Sequence, residues 1–291
     1  MVQWYLLSLI SALFSATAAI TQKKVLFKES AIGFTTLLAF FNLIIAIPFF
    51  FFVNYSTLTS LGLIILLIKS ILGATSFLFV MLAIKNLELS RALPLLVLTP
   101  GLVAIFAFIF LNESLTSLEI FGIVLLAIGT YILSLKQKQK ISSSFKEIIN
   151  SKGIYYTIIA LLIFTATSVL DKALLSNFKV PVNAFMGFQH LFFAIVFISI
   201  ILFSKKTNEL KSTIKNSYKW IILIAFITMT YRYTHLLAVK QAPVALALSI
   251  KRISVFFAVL IGGKLFKEHN LVRKIIATAI MIAGTLMVIS Y

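Results

Sequence analysis

The sequence contains no cysteine and very few acidic residues or histidines. Without Cys among its 291 residues, the chain has no disulfide, no thiol chemistry and no Cys-based metal site. Only 8 Asp and Glu and 3 His are present, and they show no metal-ligand spacing, so we expect no metal and no cofactor. A Gly-rich phosphate-binding loop and a Ser/His/Asp set are also missing. These absences argue against an enzyme, and we expect no catalytic residue.

Apolar surface and positive charge are what the sequence has in excess. Hydrophobic residues make up 61% of the chain, with 28 Phe, and the mean hydropathy is +1.08. A soluble domain of this length cannot bury so much apolar surface, so a lipid bilayer is the expected partner. The formal net charge of +18 comes mostly from bases in short loops between apolar runs. We therefore interpret these bases as contacts to anionic headgroups, and we expect no nucleic acid partner.

Ten segments are apolar over about the 20 residues that a membrane-spanning helix needs. Helix is the expected state, because a backbone exposed to lipid must satisfy its own hydrogen bonds. The sequence thus predicts an all-α polytopic membrane protein with ten transmembrane helices. These predicted spans, numbered 1 to 10, cover residues 4–21, 32–53, 61–83, 92–111, 118–135, 153–175, 181–203, 219–238, 243–263 and 272–290.

A long stretch of the chain occurs twice. Residues 82–134 reappear without a gap 155 positions later, so that Leu-Ala-Ile-Lys-Asn at 82–86 corresponds to Leu-Ala-Val-Lys-Gln at 237–241. Gly129 corresponds in the same way to Gly284. We interpret these two glycines as small-residue packing positions, either between the two halves of the chain or in a dimer. The repeat indicates an internal duplication.

Each copy belongs to a half with five predicted spans. Because five is odd, the second half enters the membrane upside down relative to the first, as in transporters built from inverted repeats. The predicted organisation is a first five-helix repeat at 1–135, a basic linker at 136–152 and a second, inverted repeat at 153–291.

The distribution of Lys and Arg predicts the orientation of the chain. All but seven of the 26 basic residues lie in the loops after spans 1, 3, 5, 7 and 9, which the positive-inside rule assigns to the cytoplasm. Both termini are then expected outside the cytoplasm. The seven exceptions are Lys69, Lys172, Lys179, Arg232, Lys240, Lys251 and Arg252.

Ionisable residues inside the spans are the candidates for function. A charge at the centre of a span costs about 2.5–3.5 kcal/mol on insertion scales, so such groups persist when they face a watery cavity or each other. All of those in the second half approach from the face opposite the basic loops, and a shared cavity open to that face would explain them. They are Asp171, His190, Arg232, His235, Lys251 and Arg252. The first half offers Lys69, with Asn42 and Gln22 as polar neighbours.

Several of these side chains have ordinary structural alternatives. Arg232, His235, Lys172 and Lys69 could extend to the membrane interface, and His190 could be a neutral ring bonded to a neighbouring helix. Asp171 is the acid of the group, so we expect it to pair with Arg232, Lys251 or Arg252, which leaves a positive surplus. That surplus favours a solute with an anionic group. The predicted substrate-binding residues are Lys251, Arg252, Arg232, Asp171, His190 and Lys69.

Short motifs at equivalent places in both halves carry a family resemblance. In the first half Thr99-Pro100 is followed by an apolar run into Leu-Asn-Glu-Ser-Leu-Thr at 111–116. The second half has Ser-Ile-Lys-Arg-Ile-Ser-Val-Phe-Phe at 249–257 and Phe-Lys-Glu at 266–268, although Lys267 stands where Gly usually precedes the Glu. With Asp171-Lys172 closing span 6, this pattern resembles the EamA-type ten-helix permeases of the drug/metabolite transporter superfamily over nearly the whole chain.

The resemblance implies a secondary transporter that moves a small organic metabolite across the cytoplasmic (inner) membrane by alternating access. Its substrate site is expected near the bilayer midplane between the halves. Members of the family are commonly drawn with both termini in the cytoplasm, whereas the loop charges here predict the reverse. A homodimer is left open.

Two other classes of function remain as alternatives. A membrane-embedded enzyme acting on a lipid-linked substrate would need a convergent acid/base pair or a metal site. A non-transporting assembly subunit would lack a central cavity.

Overall fold

The protein is built from helices. The structure, a computed structural model, describes residues 3–87, 89, 92–93, 96, 99–111, 115–134, 152–266 and 271–289, and within these ranges there is no strand. The helices are α1 Trp4–Leu26, α2 Ala31–Phe51, α3 Ser60–Asn86, α4 Thr99–Leu111, α5 Ser117–Ser134, α6 Lys152–Ser176, α7 Val182–Phe203, α8 Thr207–Gln241, α9 Val244–Lys251, α10 Ile253–Leu265 and α11 Leu271–Ile289, with a short 3₁₀ turn at Tyr55–Thr57.

These helices fall on the apolar segments of the sequence. In the described part of the chain, seven helical segments are long and apolar enough to cross a membrane: α1, α2, α3, α6, α7, α8 and the joined α9–α10. Ser117–Gly129 of α5 is a shorter apolar stretch. The all-helical, multi-pass architecture is confirmed, while the count of ten spans stays a prediction. The linker 136–152, except for Lys152 at the start of α6, and the motif residues Glu113 and Glu268 lie outside the described residues.

The starts of several helices follow from local sequence. The Ser30 hydroxyl accepts the backbone N–H of Gly33 at 3.0 Å and thereby caps α2. The Thr59 hydroxyl caps α3 by accepting from Gly62 N at 3.1 Å. Such side chains replace a hydrogen bond that the first helical turn lacks. These caps therefore define where α2 and α3 begin.

Lys23 ties the end of α1 to the end of α3. Its Nζ donates to the backbone oxygens of Ile84 at 2.6 Å and Leu87 at 2.8 Å. These carbonyls belong to the last turn of α3 and its C-cap, where no further intrahelical N–H is available. A cation at this end also complements the helix dipole.

Lys172 makes the same contact in the second half. Its Nζ donates to the backbone oxygens of Val239 at 3.0 Å and Ala242 at 2.7 Å, at the end of α8. Both acceptors lie 155 positions after the acceptors of Lys23, which is the offset of the sequence repeat. The duplicated sequence therefore folds into the same local arrangement twice. Lys172 is therefore bonded to the end of α8. This differs from the alternative in which its side chain extends to the membrane interface.

Helices of one half pack mainly on helices of the other. The contacts are reciprocal, since α1 packs on α8 as α6 packs on α3, and α1 packs on α10 as α6 packs on α4. The most extensive helix contact in the described structure joins α5 to α11. There a Cβ atom on Gly129 would lie 2.6 Å from Met281 Cγ, and one on Gly284 would lie 2.7 Å from the backbone oxygen of Gly122. Both glycines thus serve a contact between the halves.

Helix α8 is much longer than its predicted span, 219–238. Its 35 residues extend about 52 Å at 1.5 Å per residue, against a hydrocarbon thickness of about 30 Å. The additional N-terminal turns, read from sequence as a loop, are helical because one side of them packs on the turn between α1 and α2. Thr213 and Ser217 are buried there, and the Ser217 hydroxyl donates to Glu29 Oε1 at 2.7 Å.

Candidate functional site

One cavity between the helices collects all six residues that the sequence predicted for the site. It has a volume of about 180 Å³, less than the about 300–1,000 Å³ of pockets for drug-sized ligands. Its wall includes side chains from α1, α2, α3, α6, α7, α8, α9 and α10. The six predicted residues in this wall are Lys69, Asp171, His190, Arg232, Lys251 and Arg252.

Asp171 of α6 forms the centre of a buried charge network. Its Oδ1 lies 2.7 Å from Lys69 Nζ, and its Oδ2 accepts from Arg232 Nη2 at 2.8 Å. The Gln189 Oε1 accepts from Lys69 Nζ and also from Arg232 Nη2, the latter at 2.8 Å. Lys69 comes from the first half of the chain and the other three from the second. We call these four residues, Lys69, Asp171, Gln189 and Arg232, the bridging network.

An aromatic ring supports both cations of the bridging network. The Phe185 ring centroid lies 4.8 Å from Lys69 Nζ and 5.8 Å from Arg232 Cζ. Cations within about 6 Å of a ring face are attracted by its quadrupole. Phe185 is fully buried, so it anchors the bridging network to the packed interior. Its ring is neutral and adds no charge to the network.

Lys251 and Arg252 stand where span 9 breaks. Helix α9 ends at Lys251, and α10 begins one residue after Arg252. Adjacent residues of a continuous helix point about 100° apart, yet both side chains lie in the wall of the same cavity. The Lys251 ammonium lies 5.3 Å from the centroid of the Tyr231 ring. Tyr231 therefore belongs to the cavity wall.

Arg252 is held from the first half of the chain. Its Nη2 donates to Thr99 Oγ1 at 2.9 Å, and its guanidinium carbon lies 5.1 Å from the centroid of the Phe164 ring. Its Nε is buried and has no hydrogen-bond partner among the described residues. Among those residues neither Arg252 nor Lys251 has a carboxylate partner. Thr99 thus orients the guanidinium of Arg252, whose Nε is left without a hydrogen-bond partner among the described residues.

The charges of the cavity do not balance. Four cationic side chains, Lys69, Arg232, Lys251 and Arg252, share the wall with one carboxylate, Asp171, in the described structure. Pairing of Asp171 with Arg232 agrees with expectation. Lys69 was not among the expected partners of Asp171, and this pair joins the first half of the chain to the second.

Neutral polar side chains line the rest of the wall. His190 of α7 is 2% exposed, and neither of its ring nitrogens has a hydrogen-bond partner in the described chain. Asn42 of α2 is 5% exposed, and its Oδ1 is likewise without a partner. Gln22 of α1 also contributes to the wall. The interpretation of His190 as a ring bonded to a neighbouring helix is therefore wrong for the described residues.

The alternative in which side chains extend to the interface fails for three residues. Lys69 is 2% exposed and bonded within the bridging network. Arg232 points its guanidinium at Asp171. His235 is 1% exposed and packs inside the bundle without forming part of the cavity wall.

The sequence predicted a cavity open to the face opposite the basic loops, but the cavity does not extend toward that face. Its wall includes Gln22, four residues before the end of α1, and Ile84, two residues before the end of α3. Both helices end at the face of the basic loops. On the opposite side, all eight residues of α9 are buried, and their apolar packing closes that end. The cavity thus runs from the charged residues toward the basic loops.

Sequence reasoning missed three contributors to the site. Gln189 carried a signal, since an amide in the middle of an apolar span needs a partner. Thr99 attracted notice only as part of a motif beside Pro100. Phe185 could not be singled out, because it is one of 28 Phe residues.

Comparisons with known proteins agree with this architecture. The model of a family described as the EamA-like transporter family matches residues 2–135 and, separately, 151–290. A solved crystal structure, described only as that of a protein, superposes with a TM-score of 0.74 over 98% of this chain and 96% of its own. Its sequence identity is 17%, so the likeness concerns the fold alone. A search of curated proteins gives no significant match.

Proposed function

Because the chain belongs to the EamA-like transporter family, we propose that it is a secondary transporter for a small organic metabolite with an anionic group. In this proposal the solute crosses the cytoplasmic membrane by alternating access and binds in the central cavity. The carboxylate or phosphate of the solute contacts Lys251 and Arg252. The bridging network and His190 complete the binding site.

The unbalanced charge of the cavity is the observation that carries the proposal. Asp171 already contacts Lys69 at 2.7 Å and Arg232 at 2.8 Å, so its charge is shared by two cations. Buried cations without a counter-charge are costly. An anion from outside would supply the missing partner for Lys251 and Arg252.

The geometry around Arg252 suits an anion with several oxygens. Thr99 accepts from Nη2, and the buried Nε of the same planar fork has no hydrogen-bond partner among the described residues. A guanidinium can bind two oxygens of a carboxylate or phosphate side by side.

The repeat supplies the proposed means of transport. We take residues 1–135 and 153–291 as two inverted five-span halves with both termini outside the cytoplasm. The equivalent contacts of Lys23 and Lys172 and the reciprocal helix packing support a two-fold relation between the halves. The bridging network joins α3 to α6, α7 and α8, so a change in its contacts accompanies any rocking of one half against the other.

Uptake into liposomes tests the proposal. The purified protein would be reconstituted and supplied with labelled organic anions and with neutral analogues of the same size. We expect uptake of at least one anion and a loss of about tenfold or more in the double variant Lys251→Met with Arg252→Met, since hydrogen bonds to charged groups contribute about 1.5–3 kcal/mol each.

A matched control lies on the same helix. Lys264 of α10 is exposed, and Lys264→Met removes a positive charge without touching the cavity. Undiminished anion uptake by the double variant would overturn the proposal. Equal losses in Lys264→Met would show that the effect is one of overall charge.

A further inference from the structure

The wall of the central cavity changes in character along its length. At the deep end it includes Lys69, His190 and Arg252. These residues lie 17, 13 and 13 positions before the ends of α3, α7 and α10, and all three helices end at the face of the basic loops. At about 1.5 Å of rise per residue, the deep end is about 20–25 Å from that face.

Nearer to the basic loops the wall becomes apolar. Side chains of α1, α2, α3, α7 and α10 line it there, each six to nine residues from the helix terminus at that face, or about 9–14 Å. We call this section the apolar belt, and it includes Ala19, Leu38, Phe77, Val80, Phe197 and Ala258. Ala19, Phe77 and Val80 are only half-buried, so packing does not cover all of their apolar surface.

Aromatic rings connect the deep end of the cavity to the apolar belt. Phe193 of α7 lies between the two, with its ring centroid 6.2 Å from that of His190 and 6.3 Å from that of Phe197. The Phe197 ring lies 6.4 Å from the Phe77 ring of α3. All three contacts are edge-to-face, a favourable arrangement of aromatic rings. The rings therefore form a continuous apolar surface from His190 to the belt.

An apolar surface also begins directly beside the proposed anion site. The Phe164 ring lines the cavity, and its centroid lies 5.1 Å from Arg252 Cζ. Phe164 comes seven residues before Asp171 in α6, which places it on the side of the basic loops. Val255 follows Arg252 in the same direction and also lines the cavity. An anion bound by Arg252 would thus have apolar side chains next to it, toward the belt.

The polar side chains of α1 and α2 in this wall lie outside the belt. Gln22 and Thr35 are four residues from the helix termini at the mouth, and the Thr35 hydroxyl donates to Ile32 O of its own helix at 3.1 Å. Ser15 and Asn42 lie deeper than the belt, in the middle of the two helices. A solute hydroxyl in the belt would lose water without gaining a side-chain partner, which is unfavourable, whereas a hydrocarbon group gains by leaving water.

We infer that the carried anion is amphipathic: its carboxylate or phosphate binds to Lys251 and Arg252, and its hydrocarbon body extends from there into the apolar belt. The inference rests on the proposed transport of an anion and names the substrate class as organic anions with an alkyl or aryl body. Sugar acids and sugar phosphates fall outside this class.

Two matched sets of ligands test the inference by calorimetric binding to the full protein in lipid nanodiscs, with empty nanodiscs to subtract partition into lipid. The carboxylate set is acetate, hexanoate and gluconate, the last two with carbon chains of equal length. The phosphate set is methyl phosphate, hexyl phosphate and sorbitol 6-phosphate. In at least one set we expect the alkyl ligand to bind about tenfold or more tightly than the shortest ligand, because its methylene groups leave water. The polyhydroxylated ligand should bind no more tightly than the shortest one.

Two variants of the apolar belt locate the effect. Ala19→Leu fills space in the belt, and Val80→Thr replaces a methyl group with a hydroxyl of similar size. Each should lower the ratio of the affinities for the alkyl and the shortest ligand by about threefold or more, the contribution of about one methylene group. The matched controls Ala283→Leu and Val124→Thr alter exposed residues of α11 and α5 and should leave this ratio unchanged. Since the ratio is measured within one protein, a general loss of binding does not imitate the effect.

The outcomes separate this inference from the proposed function. Equal affinity for the alkyl and polyhydroxylated anions, or an alkyl preference that survives in the folded belt variants, overturns the inference and leaves anion transport standing. Failure of every anion in both sets to bind at millimolar concentration overturns the proposed anion site, and this inference with it.

Discussion

Replacing Asp171 with asparagine removes the one negative charge of the bridging network and keeps the size of the side chain. Two cations, Lys69 and Arg232, then face each other without a counter-charge. Their side chains are 2% and 12% exposed, so water screens them little. We expect a large loss of stability, with a clear order among the variants described next.

The magnitude follows from the two contacts. At 2.7 and 2.8 Å and an effective dielectric constant of about 20, each contact has a Coulomb attraction of about 6 kcal/mol. Desolvation of the ions offsets much of this. Removing one partner of a buried ion pair accordingly costs about 3–5 kcal/mol, because the other charge stays buried.

A second substitution should recover part of that loss. In the double variant Asp171→Asn with Lys69→Met, the charge of the cavity returns to its original surplus, and Arg232 keeps the amide oxygens of Gln189 and of the new asparagine. Thermal unfolding of the purified proteins in one detergent would rank wild type above the double variant and the double variant above Asp171→Asn. An Asp171→Asn protein as stable as wild type, or a double variant less stable than Asp171→Asn, would refute the reasoning.

The remaining predictions concern packing and helix ends. Gly284→Ala should destabilise the protein by about 1–3 kcal/mol, since its Cβ would meet a backbone oxygen at 2.7 Å. Gly129→Ala should cost a similar amount, because its Cβ would meet the backbone oxygen of Ala277 at 2.9 Å as well as Met281 Cγ at 2.6 Å. Gly101→Ala is the matched control, with nothing within 4 Å of the added Cβ, and thermal unfolding should find it neutral or stabilising. Lys23→Met and Lys172→Met should each lower stability by about 1–3 kcal/mol through loss of equivalent helix-end contacts; a loss in only one of them would contradict that equivalence.

Most of the architecture could be predicted because lipid makes the sequence pattern simple. A span must be apolar and helical, so runs of apolar residues located the helices to within a few residues. The exceptions have a physical cause. The N-terminal turns of α8 are hydrophilic, and only their packing on the turn between α1 and α2, through Thr213 and Ser217, explains why they are helical.

The ionisable residues of the cavity wall could also be predicted, since such residues inside spans face a cavity or each other. Which of them form pairs could not be predicted. Lys69 lies 102 positions before Asp171 in the sequence, and only the packing of α3 on α6 brings them together. The direction in which the cavity extends was missed for a similar reason. This direction depends on the packing of α9, whose apolar residues close one end of the cavity. A uniformly apolar run in a sequence does not indicate which end that is.

The length of α8 has a mechanical consequence. Arg232 lies 25 residues from the start of this continuous helix, which corresponds to about 37 Å. A rotation of α8 by about 10° around Arg232 would therefore move its first turn sideways by about 6 Å. The first turns of α8 pack on the turn between α1 and α2 through Thr213 and Ser217, so such a rotation carries that turn with it or breaks this contact.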